Sequence, residues 1–149
     1  MEIEVRLATA QDRRALDRFY NREGLDFQSL SGTGKLGASR DVKETMYVIA
    51  IAADDVVAAL KLDIFDDPRI GLTGLIQHFE IEDELERTDL GLRMIQEVVV
   101  LAEERGLRAL DTVVPEDRRD VISIFEELGF EEFCREVCLR RELRTSPFR

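Results

Sequence analysis

Two neighbouring stretches carry residue types that could do chemistry. His78, Glu80 and Glu82 fall at every second position of GLTGLIQHFEIE, residues 71–82. If that run is a strand, alternation puts an imidazole and two carboxylates on one face, where either kind of group could take up a proton. The second stretch, IEDELERTDLGLRM at residues 81–94, has the form of a strand end, a polar turn with one glycine and the start of a helix. Such junctions hold anions, because the first N–H groups of a helix lack internal acceptors and the dipole favours negative charge. Here the side chains oppose that use: Glu82, Asp83, Glu84, Glu86 and Asp89 all lie in the junction. Asp89 also suits an N-cap, in which its carboxylate would accept the N–H groups an anion needs. Two arrangements stay open, a turn plugged by Asp89 and a turn whose acids point outward.

The elements that must position these residues are legible from periodicity. Residues 3–8 alternate as a half-exposed strand, and Thr9 with Asp12 has the spacing of a helix N-terminus. The helix that follows runs to about Glu23, with Leu16, Phe19 and Tyr20 inward and Gly24 at its end. Residues 46–65 read as two strands joined at Asp54–Asp55, and 71–82 as a third long strand. From Leu90 to Glu104 apolar residues recur every three or four positions in a broad stripe, which predicts a helix packed on a sheet. Residues 107–114 form the next strand, parallel to 71–82 because a helix connects the two. A further helix spans about 117–128, FEEFCREVCLRREL closes the chain as one strand or a bent pair, and 143–149 form a tail. Residues 26–44 hold three glycines and little periodicity, so a loop, with a short helix or a lid over a substrate, is expected there. Their GTGK fails the phosphate-loop pattern: Ser29 replaces the first glycine, Leu36 replaces the hydroxyl, and no strand leads in.

Composition bounds the rest. The chain has 149 residues, 44% hydrophobic and 36% charged, which suits one α/β domain over residues 1–149 with no repeat or linker. No apolar run reaches the roughly 20 residues of a membrane span. The N-terminus has no basic region followed by an apolar stretch, so a cytoplasmic location is expected. A formal net charge of −11 disfavours nucleic acid and anionic membranes and favours cationic small molecules or basic partners. Cys134 and Cys138 are the only cysteines and His78 the only histidine, so zinc is not expected, and two buried free thiols are.

Residues 81–106 resemble the cofactor motif of the GNAT N-acetyltransferases, V-x-P-E-Y-[RQ]-x-x-G-x-[GA] followed by a helix ending in glycine. VPEDRRDVISIFEELGF, residues 114–130, is similar to their next motif, and VRLATAQDRRALDRFY to their first strand and helix. The resemblance implies a single domain with a mixed, mostly antiparallel sheet, splayed between two central strands and covered by helices on both faces. It also implies acetyl-CoA as co-substrate. The pantetheine arm would meet backbone at Phe79 and Ile81, and the pyrophosphate the N–H groups of Arg87, Thr88, Asp89, Leu90, Gly91 and Leu92. Arg118 could add positive charge. His78 or Glu80 would serve as general base toward an amine of a small molecule or protein, cationic by the chain's charge, and a homodimer fits the same resemblance.

The departures matter. Glu86 stands where Arg or Gln is usual, Asp89 where the first glycine is, and Phe125, which has no proton to give, where a thiol-protonating tyrosine often is. A carboxylate about 5 Å from a pyrophosphate charge costs roughly 3 kcal/mol at an effective dielectric near 20, and about a third of that when well solvated. Acetyl transfer to an amine is the leading expectation. The alternative is a non-catalytic binding or regulatory module of the same shape.

Overall fold

A computed structural model describes residues 2–25 and 41–144. Of the loop expected at 26–44, residues 26–40, with the GTGK stretch, lie outside the described residues, as does most of the tail; residues 42–44 are strand instead, a correction to that expectation. In chain order the elements are β1 (Glu4–Leu7), a 3-10 turn (Ala10–Asp12), α1 (Arg13–Arg22), β2 (Val42–Ala52), β3 (Asp55–Asp67), β4 (Gly71–Ile81), a second 3-10 turn (Asp83–Leu85), α2 (Leu90–Glu104), β5 (Ala109–Thr112) and α3 (Arg119–Glu127). The strands form one sheet in the order β1-β2-β3-β4-β5. Its first three pairings are antiparallel and β4–β5 is parallel, as the α2 crossover requires.

The start of α1 is tied to β1. The Asp12 carboxylate accepts the Thr9 N–H at 2.7 Å and both outer nitrogens of Arg6 at 2.7 and 2.9 Å. This holds Asp12 well below the usual carboxylate range, with the Arg6 bond as the largest cause. The β2–β3 turn sits one residue earlier than expected. Ala53 and Asp54 both have positive φ, 50° and 63°, the backbone of a two-residue hairpin whose twist matches its strands.

Helices cover both faces. On one, Leu16, Phe19 and Tyr20 of α1 pack on Ile49, Val56 and Ala59. On the other, Leu90, Met94, Ile95 and Val98 of α2 and Phe125 of α3 pack on Val48, Leu60, Leu62 and Ile76. Gly74 leaves room for leucine side chains of both neighbouring strands: a Cβ there would stand 2.8 Å from Leu62 Cδ1 and 2.9 Å from Leu110 Cδ2. The α1 face also buries Lys61 and Asp63. The Asp63 carboxylate accepts from Thr45 Oγ1 at 2.6 Å and from Gln77 Nε2 at 2.7 Å, with Lys61 Nζ 3.7 Å away.

The closing strand is not formed among the described residues. Residues 131–144 have no regular structure and are exposed throughout, Cys134 and Cys138 included, which corrects the expectation of buried thiols. Alternating apolar residues make the segment strand-like, but a strand needs a neighbour, and no hydrogen-bonded ladder to this segment is present among the described residues. In consequence β5 is the last strand of the described sheet rather than a central one.

Candidate active site

The sheet opens where the parallel pair ends. β4 and β5 pair from Thr73 with Ala109 to Ile76 with Thr112; there β5 stops while β4 runs on to Ile81. Over Gln77–Ile81 the described residues place no strand on the β5 side. A bulge sits at this point. Gln77 is opposite Lys61 and Glu80 opposite Ala59, so His78 and Phe79 together face Leu60 alone. His78 has φ 49°, a left-handed conformation that costs a non-glycine residue about 1–3 kcal/mol. The hydroxyl of Tyr20, buried on α1, donates to the His78 carbonyl at 2.9 Å and so pins the bulge.

The bulge overturns one expectation. Regular alternation would put His78 and Glu80 on the same face, but the extra residue reverses the phase of β4. Gln77 and Glu80 both follow the α1 face, while Phe79 and Ile81 turn to the helices opposite. Phe79 meets Phe125 edge-on at 6.4 Å, and Phe125 meets Phe130 at 5.0 Å. Phe125 is a core residue, 4% exposed. The signal was in the sequence: Gln77 and His78 are two consecutive polar residues between Ile76 and Phe79, which strict alternation does not allow.

Beyond Ile81 the chain turns once, with Leu85 buried, and enters α2. Thr88, not Asp89, caps this helix: its Oγ1 donates to the Leu85 carbonyl at 2.6 Å and accepts the Leu90 N–H at 3.3 Å. Asp89 is exposed and its side chain accepts no N–H of the helix start. Of the two arrangements left open by the sequence, the outward one is present. Thr88 N–H reaches Leu85 O at 3.1 Å, whereas the N–H groups of Arg87, Asp89, Gly91 and Leu92 donate to no acceptor among the described residues. Gly91 brings this turn against the end of β4, since a Cβ there would meet Ile81 Cδ1 at 3.3 Å.

The α1 side of the opening is acidic. Burial holds the Glu80 carboxyl above the ordinary carboxylate range, Glu23, Glu86 and Asp83 push the same way, and Arg118 opposes them. Glu23, just past the end of α1, is raised by its own burial and then by Asp83, Glu82 and Glu86, with Arg22 opposing. Sequence reasoning missed Glu23, because only the fold brings the end of α1 to the end of β4. Arg118 donates to Asp120 at 3.3 Å and lies within electrostatic reach of Glu86 and Glu80. The opening thus has two chemistries: unspent main-chain donors on its α2 rim, suited to an anion, and carboxylates toward α1, suited to a cation.

No protein-family model matches the chain, and no curated protein does. Solved structures do. A transcriptional regulator from Bacillus halodurans C-125 superposes with a TM-score of 0.70 at 16% identity, over 94% of this chain and 100% of the other. A predicted acetyltransferase from Clostridium acetobutylicum, solved with acetyl-CoA, gives 0.66 at 16% identity over 93% and 96%. The aminoglycoside acetyltransferase AAC(6')-Iy, solved with a CoA-linked bisubstrate analogue, gives 0.68 at 13% over 96% and 100%. The chain therefore has the GNAT acetyltransferase fold.

Proposed function

We propose that the protein is an N-acetyltransferase that moves acetyl from acetyl-CoA to an amine. The opening of the sheet beyond Ile76 and Thr112, rimmed by the unspent N–H groups of Arg87, Asp89, Gly91 and Leu92, carries this reading. Those donors at a helix start fit a pyrophosphate without any dedicated side chain. The backbone of Phe79 to Ile81, freed from strand pairing on the β5 side, would take the pantetheine amides. The acceptor nitrogen then attacks the thioester carbon; the new N–C bond forms as the C–S bond breaks. Glu80, whose proton affinity is raised, receives the proton of the amine, with His78 as the second candidate base. The thiolate takes its proton from solvent, because Phe125 has none to give.

A cationic small-molecule amine fits the acceptor side, where Glu23, Glu80, Glu82, Asp83 and Glu86 gather. The bisubstrate analogue named for AAC(6')-Iy, built on an aminoglycoside-type amine, supports that choice of class. Glu86 and Asp89 lie in or beside the pyrophosphate turn and weaken it without filling it.

Calorimetric titration with CoA at physiological ionic strength, where the acids of the turn are screened, tests the reading. Micromolar binding is expected, and Asp89→Gly should tighten it about tenfold, the equivalent of roughly 1.4 kcal/mol. If neither protein binds at millimolar CoA, the acetyltransferase reading falls and the binding-module alternative stands.

A further inference from the structure

We propose that Cys134 and Cys138 form a redox-sensitive dithiol site, which small-molecule disulfides oxidise to an internal bridge that locks residues 134–138 into a turn. They are the only two cysteines in 149 residues, and they lie four positions apart in one segment. Both thiols are exposed. The backbone around them, the arm of residues 131–144, is neither helix nor strand, so no described ladder holds the two sulfurs apart. Exposure matters because exchange needs a protein sulfur that an oxidant can reach.

Spacing decides what the bridge requires. A disulfide needs Cα atoms about 4.4–6.8 Å apart. Four steps along a strand span roughly 13 Å, far outside that reach. Four steps of a helical turn rise about 6 Å, inside it. The bridge and an extended strand therefore exclude each other over 134–138. The sequence also carries what a turn here would use. At the same four-residue spacing stand Phe133 with Val137, Glu131 with Arg135 and Glu136 with Arg140. These are one apolar pair and two opposite-charge pairs, against the single like-charged pair of Glu132 and Glu136. Phe133 and Val137 are 74 and 82% exposed, so a turn that sets them side by side takes apolar surface out of water. One end of the ring is already held: Arg135 donates to Glu116, between β5 and α3, at 2.7 Å. Closure is thus a movement of the Cys138 end toward a tethered Cys134.

The chemistry balances with one equivalent of a small disulfide such as oxidised glutathione. One cysteine, as its thiolate, attacks a sulfur of the oxidant; the oxidant's S–S bond breaks, a mixed disulfide forms and one small thiol leaves. The second cysteine then attacks the protein sulfur of that mixed disulfide, and the other small thiol leaves. The chain gives up two electrons and two protons, and the oxidant takes up both. A bridge that closes a ring of five residues in an exposed segment belongs to the labile kind, so excess reduced thiol reopens it.

Mass spectrometry of the full chain, folded by circular dichroism and equilibrated with graded ratios of oxidised to reduced glutathione, tests this. The expected product is a chain lighter by about 2 Da, with the mixed disulfide at least about tenfold less abundant, because the neighbouring thiol is effectively millimolar or more. Trypsin cuts after Arg135, inside the ring, so peptides 120–135 and 136–140 should be recovered joined through sulfur. Dithiothreitol should restore both thiols. Cys134→Ser and Cys138→Ser should each stop at one bound glutathione. Two glutathiones per chain, a bridge between copies that grows with protein concentration, or thiols still reduced when most of the glutathione is oxidised would each overturn the proposal. The last result is the one expected of an arm held straight through 134–138. These readouts use the unaltered protein first, so they stand even if a serine variant does not fold, and none depends on acetyl-CoA.

Discussion

Tyr20 and Glu80 meet the site from opposite ends of its chemistry. Tyr20 has a structural hydroxyl: buried, it holds a main-chain carbonyl at a residue with unfavourable φ. Tyr20→Phe leaves the ring in the core and removes this hydrogen bond, so it should lower stability by about 1 kcal/mol, read by denaturant unfolding. If the bulge aims backbone at acetyl-CoA, the same variant weakens CoA binding more than an equally destabilising core change elsewhere. Glu80 is the titrating group. Its folded pKa is raised above the ordinary 4.5, so the folded state holds this proton more tightly than the unfolded chain. Stability from this group is therefore complete below pH 4.5 and is lost as pH rises through the raised value. Glu80→Gln should accordingly melt higher than the unaltered protein at pH 7, and the two curves should converge in acid. As a general base its loss should lower kcat/KM about a hundredfold or more, and should remove a limb of the pH–rate profile that rises above the ordinary carboxylate range.

Among the elements, α2 and β4 were the most legible and β4 the most misleading. The residues 90–104 carry an apolar stripe too broad for anything but a helix lying on a sheet, and the helix occupies those residues. β4 was legible in extent, but its bulge shows in the sequence only as the adjacent polar pair Gln77 and His78, which a reading by simple alternation passes over. The closing strand failed for a different reason: its pattern is right, yet no strand among the described residues pairs with it. The cysteines followed the arm and were exposed with it. Glu23 could not have been assigned to the site from sequence at all, because its role comes from tertiary proximity. Close approach is another property that local pattern conceals. Gly74→Ala would drive a methyl group to within 2.8 Å of Leu62 and 2.9 Å of Leu110. The expected cost is about 1–3 kcal/mol, visible as a lowered melting temperature.

At the scale of the molecule the acidic balance acts on traffic to the cleft. A field of one sign concentrates oppositely charged ligands and is screened within about 10 Å at 0.1 M salt. If the acceptor is a polyvalent amine, its apparent affinity should fall steeply between low and physiological ionic strength, whereas a neutral amine's should barely change. CoA should show the reverse trend, binding better as salt screens Glu86 and Asp89. Opposite salt slopes for the two substrates, measured on one preparation, would be the fingerprint of an entrance that welcomes one and repels the other.

The extra residue in β4 is an insertion that the pairing with β3 absorbs. Removing His78 alone would turn the bulge into regular strand: Phe79 would face Leu60 by itself, and Glu80 and Ile81 would stay opposite Ala59 and Ala58, on the faces they hold now. What the shortened strand would lose is the kink, with the left-handed backbone at residue 78 and the carbonyl that Tyr20 holds. The insertion thus serves the course of the main chain past the opening and leaves the sorting of side chains between the two faces to the register.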